Sequence, residues 1–431
     1  MAAVLKNLDF QGIVVSKTTD NAANAINFAN LDIVSGDGIR CATHIYNLVV
    51  SNTLDAEVGS IRAKCHSIAT YFNKSTQASE ALQKARRDAG MKPKQVEADV
   101  VTRWNSFYLQ LKSLITSRFQ ITSIIAGNPD KKVRDLAPSD DDWIVMQEME
   151  EILKQFYIAT EALSGQTYPT LPLVMLTHYA LLTHCLSFKA LTKQHYNARS
   201  RAVAEAMGKS LGEWWEKSST KVAMVACALD PRTKDMPMFS TQSMQIYQWL
   251  VEGVKELHDT AVATTTPTNT VPDNMSDYEL LIASVSPTNP DESELAVFAI
   301  IQNELNGFVK EKQLRVKDDA LEWWKIKQHS YPQLARLARR VLCIPGTSVP
   351  CERAFSRAEG GGAICTARRA CMDAEMLEKL SFIADNWSLC EVLDEKTKQT
   401  LVTKATDAAQ AAMAAANLVM ATDDLDDIEL S

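Results

Sequence analysis

Few residues of this chain have the type and setting to do chemistry. Glu352 stands in the run Ser348-Val349-Pro350-Cys351-Glu352-Arg353-Ala354-Phe355-Ser356, which is otherwise small or apolar apart from Arg353. A carboxylate there is either paired with Arg353 or Arg357, or it is a ligand for a hard cation such as Mg²⁺, which takes oxygen donors. Cys41 and His44 make a Cys-x-x-His pair. Structural zinc requires four ligands with paired spacing. Only Cys65-His66 lies nearby, so packing and hydrogen bonding compete with zinc at that pair. Asp20, in Thr18-Thr19-Asp20-Asn21, has the bland alternative of a turn or helix N-cap residue that satisfies orphan amides.

The elements that must hold these residues can be read from apolar spacing. Residues 12–17 are β-branched and apolar and predict a short buried strand, with Asp20 at its C-terminal end and a helix over 21–28. Residues 38–42 predict a second strand. From His44 onward Ile45, Leu48, Val49, Val58 and Ile61 give helical spacing. Residues 84–94, basic around Gly90 and Pro93, predict an exposed loop. From Trp104 to about residue 186 amphipathic helices follow one another. Ser139 is the expected N-cap of one, with Asp140, Asp141 and Asp142 at its positive end. That helix sets Trp143, Met146, Met149, Ile152, Leu153 and Phe156 on one face. Pro169 and Pro172 mark a break, and a further helix is expected over 202–215. The Thr-, Ser- and Pro-rich stretch 258–290 cannot supply a core and predicts a linker. Helical spacing resumes over 292–309. After about residue 404 an Ala-rich stretch gives way to Asp423-Asp424-Leu425-Asp426-Asp427, the pattern of frayed helix and tail.

The 431 residues, 46% hydrophobic, are enough for a large core and two or three domains. No apolar run approaches the ~20 residues that span a bilayer. Nine cysteines at irregular spacing do not form a disulfide framework, which points to a reducing compartment, the nucleus or the cytosol. The net charge of −8 argues against strong autonomous binding to DNA, whose phosphates are bound largely through Lys and Arg.

Several motifs together resemble the hAT (hobo/Activator) superfamily of DNA transposases. Trp323-Trp324, Tyr331-Pro332, the aliphatic run Ala338-Arg339-Arg340-Val341-Leu342 and Ser348-x-x-x-Glu352-Arg353-x-Phe355-Ser356 follow the order of that family's C-terminal dimerisation region. Upstream, Thr19-Asp20-Asn21-Ala22, Cys41-x-x-His44-x-x-Asn47-Leu48, Arg103-Trp104 and Leu229-Asp230-Pro231-Arg232-x-Lys234 resemble further family elements. The resemblance implies an Asp-Asp-Glu triad on a ribonuclease-H-like sheet, with Asp20 as second and Glu352 as third carboxylate. Two Mg²⁺ ions held by such a triad would drive strand cleavage and joining. The first carboxylate would come well before Asp20. Nineteen residues precede Asp20, and Asp9 is the one acid among them, so the expectation is a triad without its first member. The resemblance also places Arg103, Trp104, Cys41 and His44 beside DNA, with Trp104 either stacking on an extruded base or serving as a core residue.

The resulting expectation is a mainly α chain with a small α/β part. It comprises a truncated ribonuclease-H-like part over 1–100, a helical insertion over 101–257, a linker over 258–291, a dimerisation region over 292–390 and a tail over 391–431. Trp323, Trp324, Tyr331, Leu334, Leu337, Leu342 and Phe355 are the expected self-association residues, since Trp and Tyr are enriched at interfaces. Expected partners are a second copy or related hAT proteins, and DNA, with no membrane. The leading reading is a nuclear, transposase-derived protein that self-associates and does not cut DNA, with no cofactor. An active Mg²⁺-dependent transposase and a helical interaction module with no DNA role are the alternatives.

Overall fold

A computed structural model describes residues 16–21, 37–100, 104–189, 195–236, 239–264 and 290–353. The chain divides into two units, Met1–Thr347 and Ser348–Ser431. In the first, β1 (Ser16–Thr19) and β2 (Asp37–Arg40) pair in parallel, with Thr19 opposite Arg40. The expected strands are there, although residues 12–15 and the expected helix 21–28 lie mostly outside the described residues. Parallel pairing sets the carboxyl ends of both strands at one edge.

Helices make up the rest. α1 (Ala42–Glu57), α2 (Gly59–Lys74), α3 (Thr76–Asp88), α4 (Trp104–Thr116), α5 (Arg118–Ala126), the single turn α6 (Lys131–Arg134) and α7 (Asp140–Leu163) come first. They are followed by α8 (Leu171–Ser187), α9 (Ala198–Ser218), α10 (Lys221–Leu229) and α11 (Phe239–Thr264). Past the undescribed residues 265–289 come α12 (Pro290–Lys310), α13 (Ala320–Lys327) and α14 (Pro332–Leu342).

Local sequence explains the boundaries. Ser139 and Asp142 form a reciprocal capping box at the start of α7, and Asp140 to Asp142 stand at its positive end. The 24 residues that follow bury Trp143, Met146, Met149, Ile152, Leu153 and Phe156 on the face that the spacing predicts. Pro172 sits in the first turn of α8, where its missing N–H costs nothing.

The expected loop over 84–94 is corrected by α3, which carries helix through Lys84, Arg86 and Arg87. Ser75 caps it by accepting from Ala78 N–H. Ala81, Leu82, Gln83, Lys84 and Ala85 are strong helix formers. Gly90 ends it with a φ of 71°, while Met91 N–H donates to Arg86 O at 2.8 Å and Gly90 N–H to Arg87 O at 2.9 Å. These two bonds make a Schellman stop. Composition also places the start of the linker too early, since α11 continues to Thr264.

One buried knot fastens distant parts of the first unit. Asp230, fully buried, receives Arg232 Nε at 2.9 Å and Nη2 at 2.6 Å, and Arg232 Nη2 also donates to Pro169 O at 3.1 Å, ahead of α8. Gln313 Nε2 donates to Arg232 O at 2.8 Å and Lys234 Nζ to Val309 O at 3.0 Å. Trp324 Nε1 donates to Leu229 O at 2.9 Å. The Leu-Asp-Pro-Arg-x-Lys run therefore ties α10 to the approach to α8 and to the segment joining α12 and α13.

A buried histidine on α8 gives the fold a pH dependence. His178 is fully buried, and its Nε2–H donates to Leu211 O at 2.8 Å, while Nδ1 has no hydrogen-bond partner among the described residues. Burial lowers its pKa below the ordinary value. A second proton would place an N–H in an apolar site without an acceptor. Because the folded pKa is depressed, this contribution is complete above the unfolded pKa of about 6.5 and is lost as pH falls through the folded value. Stability is expected to fall below about pH 6.5 with a slope of up to ~1.4 kcal/mol per pH unit. Urea titrations of the parent and His178→Met at neutral and mildly acidic pH check this: the substitution should remove part of the acid sensitivity.

Candidate functional site

The carboxyl edge of the β1–β2 pair holds Asp20, Cys41 and His44 of the sequence-predicted residues. Asp20 follows β1 directly and is half-buried. Arg40 ends β2, Cys41 is the N-cap residue of α1, and His44 lies in the first turn of α1, half-buried. Cys41 N–H donates to Thr19 O at 2.7 Å, and Asn21 Nδ2 to Cys41 O at 3.4 Å, which ties the two strand ends together. Cys41 is fully buried with its Sγ 3.2 Å from Thr43 Oγ1, the packing and hydrogen-bonding role that competes with zinc. Arg40 lies over the Trp214 ring of α9, 6.0 Å from its centroid.

The segment 345–347 is pinned against this edge, a placement that sequence reasoning did not foresee. Thr18 Oγ1 donates to Pro345 O at 2.7 Å, Ala42 N–H to Gly346 O at 3.1 Å, and Gly346 N–H to Thr170 Oγ1 at 3.0 Å. A Cβ on Gly346 would stand 2.5 Å from Val174 Cγ2 and 3.2 Å from Leu171 Cα, so only glycine permits the approach. The Pro345-Gly346 dipeptide was the available signal, since such pairs punctuate the chain at turns.

Glu352 follows Thr347 by five residues and belongs to the second unit. It is exposed, its N–H donates to Ser348 O at 3.1 Å, and its carboxylate accepts from Ser348 Oγ at 2.8 Å. Among the described residues no group of three or more His, Cys, Asp or Glu side chains is placed to hold a metal ion.

Trp104 is 2% exposed and packs edge-on against Phe156, 6.3 Å between centroids. The indole is thus enclosed by the chain's own core. Arg103 lies outside the described residues.

The predicted self-association residues are drawn largely into the chain's own core. Trp324, Tyr331, Leu334, Leu337 and Leu342 are buried and Trp323 is half-buried. Phe308 stacks on Trp324 with centroids 5.3 Å apart, and Trp323 is stacked near Tyr331 at 6.4 Å. Tyr331 Oη donates to Glu311 Oε1 at 2.9 Å. Glu304, also buried, caps α14 by accepting from Gln333 N–H and Leu334 N–H, both at 3.0 Å. Burial raises its pKa, and those two bonds oppose the rise. Leu321 and Ile326 of α13 instead face outward, 46% and 66% exposed. Phe355 lies outside the described residues.

Comparison with known proteins finds two family matches. Residues 304–387 match the hAT family C-terminal dimerisation region, and residues 39–152 match the ZBED1 RNase-like helical domain. A putative AC transposase of Zea mays is 29% identical over 368 residues, covering 79% of this chain and 43% of that protein. A putative AC9 transposase of Zea mays is 27% identical, covering 82% of this chain and 46% of that one. Zinc finger BED domain-containing protein 4 of Homo sapiens is 25% identical, covering 86% and 31%. These matches support a transposase-derived chain that carries a dimerisation region. These similarities relate the chain to hAT-family proteins over most of its length. The chain spans less than half the length of these relatives.

Proposed function

We propose that this chain is a nuclear, transposase-derived protein that self-associates through its C-terminal region, works at DNA and does not by itself cut it. The observation that carries the reading is the match of residues 304–387 to a dimerisation region, over the segment where the motifs occur in family order. The same segment supplies the means. Its large aromatic side chains are spent on the chain's own core, so a second copy would be met by the outward side chains Leu321 and Ile326 of α13. The strand edge with Asp20, Cys41 and His44 supports descent from a ribonuclease-H-like core, since ligands of open parallel sheets sit beyond the carboxyl ends of strands.

Asp20 and Glu352 are the two carboxylates that the resemblance supplies, and two Mg²⁺ ions need a fuller oxygen shell than these provide. The chain expressed alone is therefore expected to show no Mg²⁺-dependent nicking of supercoiled plasmid. Nicking that disappears in Asp20→Ala or Glu352→Ala would overturn the non-cutting half of the proposal. Light scattering at micromolar concentration is expected to return at least twice the 47.7 kDa chain mass. A monomer mass would overturn the self-associating half.

A further inference from the structure

The acidic balance of the whole chain conceals a basic block. Residues 59–135 hold 14 Lys and Arg against 6 Asp and Glu, a formal +8 within a chain of −8. The remainder is correspondingly acidic, so the charge is segregated. Whole-chain charge is therefore a poor guide to what this part of the surface attracts.

The fold gathers several of these cations around one junction. Arg86, buried at the end of α3, donates to Lys92 O at 3.1 Å and to Ser117 Oγ. Those two bonds bring the end of α3, the segment after Gly90 and the start of α5 together. Lys84, Arg87 and Lys92 are exposed there, and among the described residues they form no ion pair. Lys94 is held by Glu97 at 2.8 Å, and Asp88 is the nearest acid in sequence. Two residues past Ser117, Phe119 is 82% exposed, the most exposed large apolar side chain described. Arg118 beside it turns away to the Trp143 ring and to Asp140 at 3.1 Å.

Exposed cations and a bare aromatic ring on elements that Arg86 ties together suit a ligand with both repeated negative charge and flat apolar faces. We propose that Lys84, Arg87, Lys92 and Phe119 form a binding surface for the DNA backbone, with the three cations on phosphates and Phe119 against sugar or an unstacked base. A bilayer fits less well, because Phe119 alone offers too little apolar surface to insert. An acidic peptide would not need the ring. This proposal rests on the DNA-associated part of the function proposed above and is independent of self-association.

Fluorescence anisotropy with a short duplex, and with a single strand of the same length, tests it across a salt series. Removing one phosphate-binding cation should flatten the log–log salt slope by about 0.9 on duplex. Lys84→Gln, Arg87→Gln and Lys92→Gln together are expected to flatten it by about 2–3 and to weaken duplex binding tenfold or more near 50 mM salt. Phe119→Ala should weaken single-strand binding by about tenfold, the loss of roughly one stacked base. Lys310→Gln, Lys312→Gln and Lys317→Gln, an equal reduction of charge at exposed positions elsewhere, should leave the slope on the parent line. All substituted positions are exposed, so unchanged thermal melting is expected and confirms folding.

If the parent binds duplex and the patch variant binds it equally well, the surface is elsewhere while the DNA-associated reading stands. If the parent binds neither duplex nor single strand at low salt, both fail, and the mass measurement still decides self-association. Capture of anionic vesicles or an acidic peptide by the parent, abolished in the patch variant and without DNA binding, would assign the surface to another partner and overturn the proposal.

Discussion

Arg232→Met is expected to lower stability by about 3–5 kcal/mol, because it strands the Asp230 carboxylate in a buried site with its partner removed. Asp230 is fully buried and Arg232 is 4% exposed, so water cannot replace the missing bonds. The change also frees Pro169 O from its bond to Arg232 Nη2, and with it the tie between α10 and the approach to α8. Chemical denaturation gives the test. Asp230→Asn combined with Arg232→Met should recover part of the stability, since removing both charges costs less than exposing one. A single Arg232→Met variant as stable as the parent would show that the knot does not hold these helices.

Trp324→Ala is the second large effect, at about 3–5 kcal/mol for a buried indole and the cavity it leaves. The side chain is 6% exposed, packs on Phe308 and donates to Leu229 O. The variant should melt well below the parent, and any drop in self-association would follow from unfolding of the region. The diagnostic comparison is concentration: a variant that merely fails to dimerise has a melting temperature close to that of the dissociated parent, whereas the Trp324→Ala monomer should melt far below it. Equal melting of the two would return Trp324 to the interface.

Much of this was legible in the sequence where local rules and tertiary packing agree. The capping box at Ser139, the apolar stripe from Trp143 to Phe156 and both short strands followed from spacing and cap chemistry. Residues 84–94 misled because basic side chains near a Gly and a Pro look like a loop, yet Arg86 can bury its guanidinium when Ser117 and a carbonyl receive it. Trp104 and Trp324 are buried and Trp323 is half-buried, a placement that the motifs alone do not specify. An aromatic residue has the same identity in a core and at an interface, and only the surrounding helices decide which it serves. The carboxyl edge of the sheet was legible as to its residues but not as to its neighbours. Pro345 and Gly346 come to it from more than three hundred residues away from Thr18 in sequence, through hydrogen bonds that no local pattern encodes.

The division of the dimerisation region into an inward aromatic cluster and the outward side chains Leu321 and Ile326 is the central claim. Sedimentation equilibrium of the parent and of Leu321→Glu with Ile326→Glu tests that division directly. The parent is expected to sediment as a dimer or larger species at micromolar concentration, and the double variant as a folded monomer with its far-ultraviolet circular dichroism intact. A parent that is monomeric throughout, or a double variant that stays fully associated, would contradict it.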